Sequence, residues 1–101
     1  MGKKLIIAPS ARRDLHDIVV EIARDAPQRA IAFGDALLDR AEQAAEFPNS
    51  GRAVPEFHDI HLRELIYAPI RIIYRLRPDD CVEVVRFWHS ARGIPQPPPL
   101  P

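Results

Sequence analysis

Seven side chains in the second half of this sequence could do chemistry together. Arg71, Arg75 and Arg77 stand at i, i+4 and i+6 of one run, Arg63 lies in the run before it, and Arg86, His89 and Arg92 lie in the run after it. A guanidinium is a planar fork of donors that fits a carboxylate or a phosphate. Several on one face could hold an acidic protein segment or a phosphate backbone. The plainer reading is a solvated sheet face on which Glu56, Glu64 and Glu83 form surface ion pairs, each worth little. Residue types alone leave both open.

Other chemistries find less support. His58, Asp59 and His61 form a short H-D-x-H word, but zinc wants three or four convergent ligands and this spacing matches no strong motif. Ser10 and Ser50 are turn-type serines without a nucleophile-elbow pattern. Gly51 and Gly93 are isolated, so no glycine loop cradles a phosphate. No metal and no cofactor is expected. Cys81 is the single cysteine and reads as a half-buried strand residue, which makes a reducing compartment the default.

Composition narrows the partners. With 14 basic and 14 acidic residues the net charge is zero, which argues against a surface that clings to nucleic acid all over. The charge is unevenly placed: residues 10–50 carry five Arg against eight Asp or Glu, and residues 60–77 carry four Arg against Glu64 alone. All but two of the basic residues are Arg, a bias that GC-rich coding also produces. Lys3-Lys4 followed by a short apolar run is too brief for a signal peptide, and no stretch reaches the roughly 20 apolar residues of a membrane span. A soluble, cytoplasmic protein without membrane contact is expected.

The elements that position the arginines follow from periodicity. Residues 4–8 read as a strand that ends at Pro9. Leu15, Ile18, Val19 and Ile22 make an apolar stripe on a helix over 9–24, with Asp14 among the charged residues on the rest of the wheel. A second helix runs over 27–46, its stripe formed by Ile31, Leu38, Ala41 and Ala45 and widened by Phe33, Leu37 and Ala44. The short break between them makes a helical hairpin. A loop dense in turn residues follows, then strands at 60–67, 70–77 and 81–89, joined by turns tight enough for antiparallel neighbours. The order β-α-α-β-β-β gives an α+β fold, a helical hairpin on a small, largely antiparallel sheet. One domain spans 1–93, and the proline-rich segment 94–101 reads as an extended, mobile tail.

Four words in this order resemble the RelE/ParE superfamily of bacterial toxins, also called plasmid-stabilisation proteins, and its ParE branch most. They are Ala11-Arg12-Arg13-Asp14-Leu15-His16-Asp17-Ile18, Phe47-Pro48-Asn49-Ser50-Gly51-Arg52 with Val54-Pro55-Glu56, Leu62-Arg63-Glu64-Leu65 leading into Pro69-Ile70-Arg71-Ile72-Ile73-Tyr74-Arg75, and Val82-Glu83-Val84-Val85-Arg86-Phe87-Trp88-His89-Ser90-Ala91-Arg92. The resemblance implies a toxin of a type II toxin–antitoxin system. Its partner would be a ParD-like ribbon-helix-helix antitoxin, two toxins with two antitoxins, and DNA would be touched only through the antitoxin. ParE-like members poison DNA gyrase; RelE-like members cut mRNA in the ribosome.

Cutting RNA needs a general base, a general acid and cations on the phosphate. His89 and Glu56 are the candidates for such a role, with no lysine pair beside them. The neutral charge favours the gyrase reading, with no catalytic residue. Binding of antitoxin or target is then expected at Arg63, Arg71, Arg75, Arg77, Arg86, His89 and Arg92, and in a groove faced by Leu15, Val19, Ile22 and Leu37.

Overall fold

A computed structural model describes residues 2–96. The chain forms β1 (Lys4–Ile7), α1 (Pro9–Ala23), α2 (Pro27–Glu46), β2 (Arg52–Ala53), β3 (Leu62–Tyr67), β4 (Ile70–Leu76) and β5 (Cys81–His89), followed by a 3-10 turn, Ser90–Arg92. The expected order is observed, with the two-residue β2 added. Pro9 and Pro27 each open a helix, where a missing N–H costs nothing. Pro101 and its four predecessors, which hold most of the expected tail, lie outside the described residues, as does Met1.

The sheet is mixed, in the order β1-β5-β4-β3-β2. β2 to β5 pair antiparallel with their neighbours in register Arg52↔Glu64, Leu65↔Ile72 and Ile72↔Phe87. β1 runs parallel to β5, and its pairing stops at Ile7↔Val84. A parallel pair needs a long crossover, and the helical hairpin is part of it.

Both faces of the central strands are buried. On one, Ile70, Ile72, Tyr74, Val82, Val84 and Phe87 pack against Leu37, Ala41 and Ala44 of α2. On the other, the loop after β2 folds back so that Val54 and Phe57 close over Leu62, Ile73, Val85 and Trp88. That outer face is therefore not the solvated surface that alternation suggests. Burying such a side chain contributes about 1.5–3 kcal/mol, enough to hold an irregular loop on the sheet.

The buried face of α2 is turned only in part from the expected stripe, since Ala41 and Ala45 stay buried with Leu37 and Ala44. Ala30, Gly34, Leu37, Ala41 and Ala44 face inward, whereas Ile31 is 64% exposed and Leu38 lies at the surface. The cause is close helix contact: a Cβ at Gly34 would stand 3.1 Å from Val19. Small residues let α1 approach, and that approach sets the inward side.

Tyr74 ties the turn after α2 to the sheet. Its hydroxyl donates to the Pro48 carbonyl at 2.8 Å and accepts the Gly51 N–H at 2.9 Å. Burial raises its pKa, so it stays a donor. A Cβ at Gly51 would meet the Glu64 carbonyl at 2.7 Å, so only glycine lets the chain pass here and deliver Arg52 to the sheet.

Candidate partner-binding site

The sheet does not assemble the arginines on one face. Cross-strand neighbours share a side, and Arg63 pairs with Tyr74 on the helix side, where its Nη1 donates to the Gly51 carbonyl at 2.8 Å. Arg71 and Arg75 point to the outer face with Leu62 and Glu64. Arg77 lies beyond β4 and bonds Asp79 of the turn through two nitrogens, at 3.0 and 2.6 Å.

The outer-face arginines are committed to carboxylates. Glu64, whose side chain is fully buried, accepts from Arg71 Nε and Arg52 Nε, each at 2.7 Å. Arg71 also holds Glu56 through both terminal nitrogens, at 2.8 and 2.7 Å. Arg75 stands 3.5 Å from Glu83. The partners are the three glutamates that the plainer sequence reading named. The Arg71 fork holds the Glu56 carboxyl down at about 2 and Glu56 raises the guanidinium in return.

That pairing makes a pH prediction. A lowered carboxylate pKa contributes stability that is whole above the ordinary value of about 4.5 and is lost as pH falls toward about 2. Because the pair meets solvent, the effect is about 1 kcal/mol or less. Glu56→Gln is therefore expected to lower the urea midpoint at neutral pH, and the gap from wild type should close between pH values of roughly 4.5 and 2.

Past the end of β1, the edge of β5 is covered by side chains of α1. Ser10 Oγ donates to the Val85 carbonyl at 2.7 Å, and Asp14 Oδ2 accepts the Phe87 N–H at 3.1 Å. The register slips between Ile73 and Tyr74, with Val85 as the extra residue. This bulge puts Arg86 on the outer side with Ile73 and Trp88, and from there it reaches Asp14 at the sheet edge through Nε at 2.7 Å and Nη2 at 2.8 Å. Asp14 is thus a buried clamp, 7% exposed, not the surface residue that the wheel suggests. A signal was present: Asp14 lies at i+3 from Ala11 and at i−4 from Ile18, both on the inward side.

The end of β5 is built around Trp88. Guanidinium carbons of Arg86 and Arg92 stand 4.8 and 4.2 Å from its ring centre, a cation–π arrangement. Its Nε1–H donates to the Gly93 carbonyl at 3.1 Å, and Arg86 Nη1 donates to the Gln96 carbonyl at 2.8 Å. With Pro95 buried, the start of the expected tail lies against the domain. His89 Nδ1 accepts the Ala91 N–H at 3.0 Å and caps the 3-10 turn.

Between α1, the start of α2 and the ends of β4 and β5 lies a groove of about 730 Å³. Ile18, Ile22, Phe33, Ile70 and Phe87 form an apolar lining. Asp14, Asp17 and Glu21 stand along α1, while Arg29, His89 and Arg92 bring the opposite sign. Of the four apolar residues expected to face a groove, Ile22 lines it. Leu37 is fully buried, Leu15 packs against the core and Val19 meets α2. Sequence reasoning missed Phe33, Phe87 and Arg29 here, because helix and strand ends meet only in the tertiary fold.

Among the described residues no three side chains converge to hold a metal ion. Asp59 of the H-D-x-H word accepts the His61 N–H at 2.8 Å. No helix among them is long and apolar enough to cross a membrane.

Residues 5–94 match the family described as "ParE toxin of type II toxin-antitoxin system, parDE". The chain belongs to this ParE toxin family. It is the toxin type of a type II toxin–antitoxin system, as the four words implied. No curated protein matches the ParE-family chain. Among solved structures it is similar to a chain of the chromosomal ParDE toxin–antitoxin system from P. aeruginosa, with a TM-score of 0.73, 17% identity, and coverage of 86% of this chain and 95% of that one. It is also similar to a chain of the RelBE2 toxin–antitoxin complex from Mycobacterium tuberculosis, with a TM-score of 0.65, 20% identity, and coverage of 88% and 99%. At these identities the likeness speaks for the ParE-family fold.

Proposed function

We propose that this ParE-family toxin acts in the cytoplasm on DNA gyrase by protein contact, without breaking a bond, and is neutralised by a ParD-like ribbon-helix-helix antitoxin. The observation that carries the choice of target is the state of the two groups an RNA-cleaving site would use. Glu56 is held by Arg71 with its pKa down at about 2, which makes it a weak base at neutral pH. His89 spends Nδ1 on the Ala91 N–H. Arg71 and Arg75, the expected phosphate cations, are turned to carboxylates of the same chain.

The groove beside α1 supports the second half of the reading. Its apolar lining suits the side chains of a C-terminal antitoxin segment, and two antitoxins with two toxins is the assembly proposed. Arg63, Arg71, Arg75, Arg77 and Arg86 are engaged within the chain, which favours the groove, with His89 and Arg92, as the docking site.

Purified toxin is expected to block gyrase supercoiling and to leave translated mRNA uncut in primer extension on ribosomes. Unimpaired supercoiling at saturating, folded toxin would overturn the target. Coexpression with the product of an adjacent ribbon-helix-helix gene is expected to relieve growth arrest.

A further inference from the structure

We propose that His89 and Arg92 form a carboxylate-reading pair at the groove, and that its occupant is a partner-protein segment bearing apolar side chains and one acidic residue. The inference rests on the groove as the docking site and names the chemistry of what docks.

Both donors are set before any ligand arrives. With Nδ1 accepting the Ala91 N–H, the ring proton of His89 sits on Nε2, so the other nitrogen is a donor. Arg92 is stacked 4.2 Å over Trp88 while its side chain stays 54% exposed. Its nearest carboxylate, Asp14, is 3.9 Å away and already accepts from both Arg86 and the Phe87 N–H. The Arg92 fork is therefore oriented by stacking, with donors left for a ligand. A preorganised fork loses less entropy when it binds.

The rest of the groove selects the source of the anion. Phosphodiester strands carry a charge at every step, and Asp17 and Glu21 on the α1 wall repel such a chain. A peptide can place a single carboxylate at His89 and Arg92 while its apolar side chains lie on Ile18, Ile22 and Phe33. Neutral or basic residues suit its side toward Asp17 and Glu21.

The test titrates the ¹⁵N-labelled full chain with hexanoate, an apolar tail with one carboxylate, followed by NMR. Hexanamide and the ribodinucleotide UpU are the comparisons. Hexanoate is expected to shift the His89 ring, the Arg92 Nε–H and the Ile18 and Ile22 signals, and to bind about tenfold tighter than hexanamide. Arg92→Gln should bring hexanoate down to the hexanamide level, and Arg92→Lys should recover part of the difference. A dispersed spectrum with the Trp88 indole signal retained establishes that the variants are folded.

Equal binding of hexanoate and hexanamide at the apolar floor would overturn the pair and leave the docking reading standing. No response of the floor to either ligand would remove both. Tighter binding of UpU than of hexanoate at His89 and Arg92 would overturn the pair in favour of nucleic acid.

Discussion

Asp14→Ala is expected to lower the unfolding free energy by about 3 kcal/mol, read as a shift of the urea midpoint with unchanged m. Asp14 is 7% exposed and accepts three hydrogen bonds, two from Arg86 and one from the Phe87 N–H. Its loss leaves a mostly buried guanidinium and a buried backbone donor without that partner, and each is costly. Arg86 keeps the Gln96 carbonyl and the Trp88 ring, so the lower end of the range for broken buried pairs applies. Asp14→Asn retains an acceptor and should cost about half as much. A loss under about 1 kcal/mol for the alanine variant would show that the clamp contributes no more than a surface pair.

Glu64→Ala is expected to cost a similar amount, about 3 kcal/mol, by removing the buried hub shared by Arg71 and Arg52. Arg71 would keep Glu56 but lose its inner partner. Glu64→Gln should cost less, because an amide oxygen still accepts one bond. The informative measurement is a double-mutant cycle with Arg71→Met. A coupling of about 1.5 kcal/mol or more is expected if the pair acts as a unit. Additive losses would instead trace the cost of Glu64→Ala to the cavity it leaves.

The fold was legible because periodicity is local. The apolar stripe of α1, the prolines that open both helices and the tight turns of the β3–β4–β5 meander all act within a few residues. β2 was not legible, since two residues carry no alternation. Nor was the neighbour of β1: parallel pairing to β5 is decided by the crossover and leaves no local mark. The faces of the arginines follow from the pleat and from a bulge, neither of which composition shows. Arg63 follows the pleat of β3, which puts it with Tyr74 on the helix side. The extra residue at Val85 resets β5, so that Arg86 comes to the outer side with Ile73 and Trp88 and reaches Asp14 from there. A one-residue insertion is invisible in a strand whose residues are apolar on both faces. The site is legible in part: His89, Arg92 and Ile22 line the groove, but charged residues along α1 look locally like solvated helix surface and not like its acidic wall.

The parallel pairing of β1 with β5 has a consequence for timing. Lys4 waits for Cys81, and closing so long a loop costs about 4 kcal/mol in chain entropy before any contact repays it. β5 is made after the other four described strands, yet it lies between β1 and β4. Until it leaves the ribosome, β1 has no neighbour, Asp14 has no arginine to hold, and the groove lacks the wall that Phe87 and His89 supply. A nascent chain therefore cannot present this surface before β5 is free to pair, and the surface then comes into being within reach of whatever protein is waiting to cover it.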